Sequence, residues 1–219
     1  MKHMNKFAAG AAAAVALSVA AQASAAVYAT NVEAVDLGYV TDATRTDANN
    51  ALGAPDDKFL SLGVAKNGMA NGAVVLSFDN QMFDTGTVYE VTFNCNDVGA
   101  DGCADYSEHA NVYFGNDPFE WDGTAGTLGD YLANNFSLAG VVGNADAQGG
   151  VSVTRIDGPF KYIGIVNNTI GGDAYFGPNA DGFDVNAVSI SPVPVPAALP
   201  LLGLGILGLG MVSRRRRDA

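Results

Sequence analysis

Acidic side chains with the spacing of a calcium-binding loop occur in the middle of the chain. Counted from Asp97, aspartates stand at positions 1, 5 and 9, a glutamate at position 12 and a glycine at position 6. Calcium loops place oxygen ligands at these positions, although Gly99 replaces the ligand at position 3. The pattern predicts a calcium ion bound by Asp97, Asp101, Asp105 and Glu108. The alternative is a solvated acidic loop.

A second candidate cation site joins the two ends of the same domain. Asp56 lies beside Asp57 in an early loop, and Asp181 and Asp184 lie at the final strand. Carboxylates brought together from a loop and a strand can bind a hard cation such as Ca²⁺. The alternative is that these aspartates cap turns through local hydrogen bonds. The predicted cofactor is therefore a structural calcium ion, with Asp56 and Asp184 as ligands here, and no other cofactor is predicted.

Aromatic side chains supply a candidate carbohydrate site. Trp121 is the only tryptophan. With Tyr113, Tyr106 or Tyr175 it can form a face on which the apolar surface of a sugar stacks. The alternative is that Trp121 plugs one end of a hydrophobic core. The predicted carbohydrate residues are Trp121 and Tyr113.

Signatures of catalysis are missing from the sequence. It contains no Gly-x-Ser-x-Gly, His-Glu-x-x-His, Gly-x-Gly-x-x-Gly or P-loop motif. We place His109, beside Glu108, at the surface or a strand edge. We predict that the protein is not an enzyme. A small glycan-active enzyme is the alternative, because a glycosidase pair is recognised only by the separation of its carboxylates in space.

Short strands between Gly-, Asp- and Asn-rich turns must position these side chains. Tyr89, Val91 and Phe93 alternate with polar neighbours, which is the period of a strand. Eight or nine such segments predict an all-β antiparallel β-sandwich or jelly roll over residues 26–191, with a short helical turn at Asp130–Asn135. The predicted strands are Val27–Val32, Phe59–Val64, Val74–Phe78, Val88–Asn94, Ala110–Phe114, Phe136–Val141, Val151–Ile156, Phe160–Val166 and Phe183–Ile190.

Both ends of the chain carry targeting patterns. Lys2 and Lys6 precede an apolar stretch, and Ala23-Ser24-Ala25 fits a cleavage pattern, so residues 1–25 predict a signal peptide rather than a membrane anchor. At the other end, a proline-rich spacer (Pro192–Pro196) leads into an uncharged apolar run, 197–213, and then into four arginines. The run predicts one transmembrane helix with its arginines on the cytoplasmic side.

The C-terminal pattern resembles the PEP-CTERM family of sorting tails, and more closely its Val-Pro-Leu-Pro-Ala variant. Val195 stands where the parent motif has Glu. The resemblance implies processing by an exosortase-type transpeptidase in Gram-negative bacteria and an association with exopolysaccharide and biofilm matrix. The alternative is a tail anchor that is never cut. The sorting residues so implied are Val193, Pro194, Val195, Pro196, Ala197, Arg214, Arg215, Arg216 and Arg217.

A second resemblance covers most of residues 27–190. The segments Asn50–Asp56, Ser61–Gly63, Val75–Phe78 and Gly182–Val188 are similar to bacterial surface domains of the galactose-binding-like (discoidin) jelly roll. The resemblance implies a jelly-roll fold. Asn186 stands where such relatives tend to have Asp, which removes one charge from the second cation site.

The part of the chain that is predicted to be exported is strongly acidic and contains both cysteines. Residues 26–196 hold five basic and 22 acidic residues, a formal charge of −17. Nucleic acid and anionic lipid surfaces are therefore poor partners. The two cysteines, Cys95 and Cys103, are eight residues apart, and in an oxidising compartment they predict a local disulfide.

Together these patterns predict an exported, non-catalytic protein of the cell surface or extracellular matrix. Before processing, its C-terminal helix lies in the membrane; afterwards the acidic domain is outside the cell. We expect it to bind or associate with exopolysaccharide. A purely structural surface protein without a specific ligand is one alternative, and a small glycan-active enzyme is another, of a different class.

Overall fold

Two antiparallel β-sheets of five strands each form the core of the protein. The computed structural model describes residues 25–91, 98–99, 102–103, 108–124, 126–143, 150–169 and 182–192. Over these residues the elements are β1 (Val27–Tyr28), β2 (Asn31–Asp36), β3 (Leu60–Leu62), β4 (Ala73–Ser77), β5 (Phe83–Glu90), β6 (Val98–Gly99), β7 (Gly102–Cys103), β8 (His109–Gly115), α1 (Leu128–Asn135), β9 (Ser137–Gly143), β10 (Val151–Thr154), β11 (Tyr162–Asn167) and β12 (Phe183–Pro192).

Most successive strands alternate between the two sheets, and β8 and β9 are the exception because they pair with each other within the same sheet. Sheet I has the order β1-β12-β5-β10, with β3 also paired to β12, and sheet II has the order β2-β4-β11-β8-β9. Strands β2, β3, β4 and β5 therefore cross from one sheet to the other at each step. Every pairing in these sheets is antiparallel. The predicted antiparallel β-sandwich is confirmed.

Apolar residues from both sheets meet between them. Phe83 of sheet I and Phe114 of sheet II are fully buried, and their rings lie edge to face with centroids 5.1 Å apart. Such pairs add about 0.5–1.5 kcal/mol beyond the burial of their area. The same cluster contains Val88 and Ile190 from sheet I and Ile165 from sheet II. The alternating pattern of the strands thus produces one core between two layers.

Helix α1 covers the outer face of sheet II and forms a second apolar cluster. Leu128 and Leu132 of the helix are fully buried against that face. Thr127 caps the helix by accepting a hydrogen bond from the backbone N–H of Asp130 at 3.1 Å. Gly164 on β11 permits the close approach, since a Cβ there would lie 2.5 Å from Leu132 Cδ2. The predicted helical turn at 130–135 is confirmed as the end of this helix.

The structure also divides one predicted strand. The expected strand Val27–Val32 is two strands, because β1 pairs with β12 in sheet I whereas β2 pairs with β4 in sheet II. Ala29 and Thr30 make the crossing, and the Ala29 N–H donates to the carbonyl of Val188 at 2.8 Å. A single extended run cannot belong to both layers, which is why it breaks here.

The targeting segments predicted at the two ends, 1–25 and 192–219, lie almost entirely outside the described residues. Within the described part of the chain, no helix is long and apolar enough to cross a membrane. The predicted transmembrane helix at 197–213 is therefore not tested.

Candidate functional site

A polar cleft opens in the long connection between β2 and β3. Two short 3-10 helices, Ala43–Arg45 and Ala48–Ala51, form one side of it, and residues 57–59 form the other. Ala51 is fully buried in the sandwich core and thereby fixes this connection to the fold. The cleft has a volume of about 520 Å³ and is lined by Asp42, Thr44, Arg45, Asp47, Asn50, Asp57, Lys58 and Phe59.

Two aspartates hold the 3-10 side of the cleft in shape. Asp42 accepts hydrogen bonds from the backbone N–H and the hydroxyl of Thr44, at 2.9 and 2.7 Å. Asp47 accepts them from the backbone N–H and the side-chain amide of Asn49, at 3.0 and 2.9 Å. The hydrogen bonds from Thr44, its hydroxyl first, lower the pKa of Asp42. Both carboxylates are therefore oriented before any ligand arrives.

The floor of the cleft combines an aromatic ring with a cation. The Arg45 guanidinium carbon lies 5.3 Å from the centroid of the Phe59 ring, a cation–π distance. Phe59 is buried, and its carbonyl accepts a hydrogen bond of 3.1 Å from the side chain of Asn50. Arg45 also lies 3.6 Å from a carboxylate oxygen of Asp42. The guanidinium is thus held in place from two sides.

The opposite rim offers one negative and one positive side chain. Asp57 and Lys58 are exposed neighbours on the cleft. With the residues that the structure describes, neither side chain forms a hydrogen bond or an ion pair. A carboxylate is a hydrogen-bond acceptor and an ammonium group a donor. A ligand can therefore use both groups without breaking an existing contact.

The final strand supports this rim through Asn186. The side-chain amide of Asn186 donates hydrogen bonds to the carbonyl oxygens of Asp56 and Lys58, at 2.5 and 2.6 Å. Asn186 is 3% exposed, so the amide that donates both hydrogen bonds is buried. They join β12 to a loop about 130 residues earlier in the sequence, and they fix the backbone on which Asp57 and Lys58 stand.

The second predicted calcium site falls on the same loop and strand. The Asp56 carboxylate accepts a hydrogen bond of 2.7 Å from the backbone N–H of Lys58, which is a local turn of the kind named as the alternative. The Asp184 carboxylate is buried and accepts a hydrogen bond from the buried hydroxyl of Ser61. Two carbonyl oxygens of the loop already accept the amide hydrogens of Asn186. Calcium binding by Asp56 and Asp184 stays a prediction.

Most of the first predicted calcium loop lies outside the described residues. This holds for Asp97, Asp101 and Asp105, whereas Glu108 is described and is buried immediately before β8. Strands β6 and β7 form a two-residue antiparallel ladder within the loop. In the described stretches, no group of three or more histidine, cysteine, aspartate or glutamate side chains could hold a metal ion. Cys95 is not described, so its disulfide with Cys103 is not tested.

Trp121 and Tyr113, the two residues predicted to form a carbohydrate face, pack in the same apolar cluster as helix α1. Tyr113 is buried in the cluster beneath the helix and presents no ring face to solvent. Trp121 is half-buried and packs against the same cluster, with its indole N–H enclosed and without a hydrogen-bond partner in the described structure. Trp121 packs outside sheet II instead of at one end of the sandwich core, and carbohydrate binding by Trp121 and Tyr113 stays a prediction.

A smaller polar cleft of about 220 Å³ lies near the start of β11. The Asp117 carboxylate accepts hydrogen bonds from the Lys161 ammonium group and, at 2.6 Å, from the Tyr162 hydroxyl. The contact with Lys161 lowers the pKa of Asp117 most. Conversely, the hydrogen bond to Asp117 is the main cause that raises the pKa of Tyr162 to about 12. These residues already satisfy one another.

Sequence reasoning did not find either cleft. The residues Asp42-Ala43-Thr44 and Asp47-Ala48-Asn49 repeat an Asp-x-Thr/Asn pattern, in which a side chain accepts a backbone N–H two residues later. That pattern was available as a signal for ordered turns. It gives no indication that residues 57–59 lie opposite them.

In comparisons with known proteins, the sequence matches no family model and no curated protein. Similar solved structures include reduced XRCC1 bound to the DNA polymerase beta catalytic domain, at 14% identity and a TM-score of 0.43, covering 78% of this chain and 100% of that one. Another is the C-terminal domain of a chitobiase from Bacteroides fragilis, at 10% identity and a TM-score of 0.40, covering 75% and 94%.

A third similar structure contains the CBM32-1 and CBM32-2 domains of ZmpB from Clostridium perfringens. It has 13% identity and a TM-score of 0.39, and the match covers 75% of this chain and 36% of that one. At such identities and TM-scores, none of the three similarities establishes a family or a ligand for this chain.

Proposed function

We propose that this protein is a non-catalytic binding domain that holds a neutral saccharide in the cleft between the 3-10 helices and residues 57–59. One observation carries the proposal. The cleft presents a carboxylate and an ammonium group, Asp57 and Lys58, that have no partner among the described residues. Its volume of about 520 Å³ falls in the range of small-molecule sites, about 300–1,000 Å³.

The chemistry of the cleft matches a ligand with many hydroxyl groups. A hydroxyl both donates and accepts hydrogen bonds, so one sugar ring can donate to Asp57 and accept from Lys58. Three aspartates and two cations line the cleft, so the two signs of charge nearly balance. A charged ligand would be repelled by part of this wall. A neutral saccharide is not, and each charge-assisted hydrogen bond to it contributes about 1.5–3 kcal/mol.

The fixed parts of the cleft favour binding for a second reason. Arg45 is held by Phe59 and Asp42, and the aspartate caps hold the 3-10 helices. Groups that are ordered before binding lose little conformational entropy when the ligand arrives.

We propose further that the binding domain is exported, with residues 1–25 as its signal peptide. Its C-terminal tail, 192–219, would be a substrate of an exosortase-type transpeptidase. The support is the sequence itself: the Pro192–Pro196 spacer, the apolar run and the arginines occur in the order of PEP-CTERM tails. On this proposal the saccharide belongs to an exopolysaccharide of the cell surface or matrix.

The finer assignment of the sandwich as a galactose-binding-like jelly roll is also a proposal, supported by the alternation of strands between sheets.

The test is a glycan array probed with the exported domain, with and without EDTA. We expect binding to at least one neutral glycan. Lys58→Gln and Asp57→Asn should each weaken it by about 10–100-fold, the effect of losing one charge-assisted hydrogen bond. Lys66→Gln is the matched control, because it also removes one exposed positive charge but lies outside the cleft.

Each other outcome has a distinct meaning. Silence across the array in both conditions would leave the purely structural surface protein as the better account. Binding that is lost with EDTA would show that a cation takes part, in line with the calcium predictions. Fragments released from a bound polysaccharide would establish the glycan-active enzyme instead.

A further inference from the structure

The outer face of sheet I carries hydroxyl side chains in register across three neighbouring strands. In one row, Thr87 on β5 lies between Ser189 on β12 and Ser152 on β10. In the next row, two residues along each strand, Thr85 lies between Ser191 and Thr154. We call these two rows the hydroxyl face; its members are Thr85, Thr87, Ser152, Thr154, Ser189 and Ser191.

Because side chains alternate between the two faces of a strand, the hydroxyl face points away from the core. Residues one position along the strands, Val88 and Ile190, are buried between the sheets. Side chains of successive strand residues point to opposite faces, so the hydroxyl rows point outward. Ser152, Thr154 and Ser191 are exposed, whereas Ser189 is buried. Tyr28 on β1 lies opposite Ser189 and extends the first row to a fourth strand.

Hydrogen bonds between the hydroxyl groups order this face, but they leave some of its donors and acceptors unused. Thr87 and Ser152 lie 2.7 Å apart, and Thr85 and Thr154 lie 2.9 Å apart. Each hydroxyl has one hydrogen to donate and two lone pairs. After the pair of Thr87 and Ser152 makes its internal bond, one hydrogen and three lone pairs are left. Thr85 also lies 3.1 Å from a carboxylate oxygen of Asp84, so its row mainly offers acceptors.

The members of the hydroxyl face are uncharged and follow the register of the strands. Strands lie about 4.8 Å apart and alternate residues about 6.7 Å apart, so the rows cover roughly 10 Å by 7 Å. No member of the rows carries a charge, in a domain whose exported part has a formal charge of −17. An anionic polymer is repelled by that net charge, and the Asp84 carboxylate that contacts the second row already accepts a hydrogen bond from Thr85. A neutral polymer with many hydroxyl groups matches both properties.

We propose that the hydroxyl face docks a neutral, extended polysaccharide chain, as a second surface separate from the cleft. A chain lying across the strands meets Ser191, Thr85 and Thr154 in the second row. In the first row it meets Thr87 and Ser152, since Ser189 is buried. The hydroxyl groups of the chain can donate to and accept from these side chains. No single contact is strong, because the net contribution of such a hydrogen bond is about 1 kcal/mol. Binding depends on several contacts made together and on a polymeric ligand. The proposal does not require the cleft to bind a saccharide.

Affinity electrophoresis tests the proposal. The exported domain is run in native gels that contain dextran, a mixed-linkage β-glucan, xylan or galactomannan, with anionic alginate as the charged comparison. We expect retardation in at least one neutral gel and none in alginate. Thr87→Val with Ser152→Ala removes one hydroxyl pair while it keeps a β-branched residue in β5. That variant should weaken the retardation by at least about 5-fold.

A second variant keeps the test decisive if the first one fails to fold. Thr154→Lys places a long charged side chain at an exposed position of the face and should abolish the retardation. Lys66→Gln, which lies outside both the cleft and the hydroxyl face, should leave it unchanged. The proposal is overturned if no neutral gel retards the domain, or if the face variants migrate as the native domain does. It is also overturned if the face variants only dissociate a dimer in sedimentation, since the face then binds a second copy. Retardation lost in Lys58→Gln alone would support the cleft and refute the face.

Discussion

The support that Asn186 gives to the cleft leads to a quantitative prediction. Its amide makes two hydrogen bonds, to the carbonyls of Asp56 and Lys58, and the side chain is 3% exposed. Each bond contributes about 1 kcal/mol net. Asn186→Ala should therefore lower the free energy of unfolding by about 1–3 kcal/mol. The lower end applies if water reaches the two carbonyls, since Asp56 and Lys58 are themselves exposed.

Asn186→Asp should be worse than alanine at neutral pH. The introduced carboxylate would face two carbonyl oxygens at the distances that the amide now occupies, and all three groups are acceptors. Repulsion and burial raise the pKa of this carboxyl in the folded state above its value in the unfolded chain. The folded state then binds the proton more tightly, so the penalty is present at high pH and is relieved as the pH falls through the raised pKa.

Urea denaturation of the three proteins at about pH 7 and about pH 4, with and without Ca²⁺, measures both effects. We expect alanine to destabilise equally at both pH values and aspartate to recover at the lower one. Recovery of the aspartate variant by Ca²⁺ at pH 7 would show that the loop can accept a cation where the amide now lies. An alanine variant as stable as the native domain, or an aspartate variant more stable than alanine at pH 7 without a cation, would refute the reasoning.

Three further predictions concern other parts of the fold. Asp117→Asn should move the pKa of Tyr162 from about 12 down towards its ordinary value, since the negative partner is removed; an NMR or ultraviolet titration of the tyrosine measures it. Gly164→Ala should lower the free energy of unfolding by about 1–3 kcal/mol in urea, because the new Cβ meets Leu132. The pKa values of Asp42 and Asp117 are lowered in the folded state, so the thermal midpoint should fall as the pH drops below about 4, seen by circular dichroism.

The sequence predicted the sandwich well because local alternation carries that information. Tyr89 and its neighbours showed the period of a strand, although β5 runs over Phe83–Glu90 and the predicted strand was Val88–Asn94. The turn residues predicted eight or nine strands, where the two sheets hold ten. Helix α1 was predicted without its first two residues, since its start depends on the Thr127 cap and on burial of Leu128 against sheet II. The division of Val27–Val32 was missed because strand pairing is not a property of six consecutive residues.

The candidate sites were harder to predict than the strands. Asp56 and Asp184 were expected to approach each other through a cation, whereas the described contacts are the Asn186 amide to the loop and Ser61 to Asp184. From the sequence, Asn186 indicated only that one negative charge is missing from the second cation site. Its role depends on two backbone carbonyls, and a one-letter sequence does not show where carbonyls point. Similarly, Trp121 and Tyr113 are both aromatic, but helix α1 decides that Tyr113 is covered.

The sequence alone determined the class of the domain, its acidic charge and the targeting patterns at its ends, because these depend on composition and on short-range order. Only the tertiary structure decided which polar groups face one another. It set Asp57 and Lys58 opposite the capped 3-10 helices, and it aligned the Ser and Thr side chains of three strands into the hydroxyl face. The physical reason is that register and packing bring together residues that are up to about 130 positions apart, and the free energy that fixes these contacts comes from the whole core.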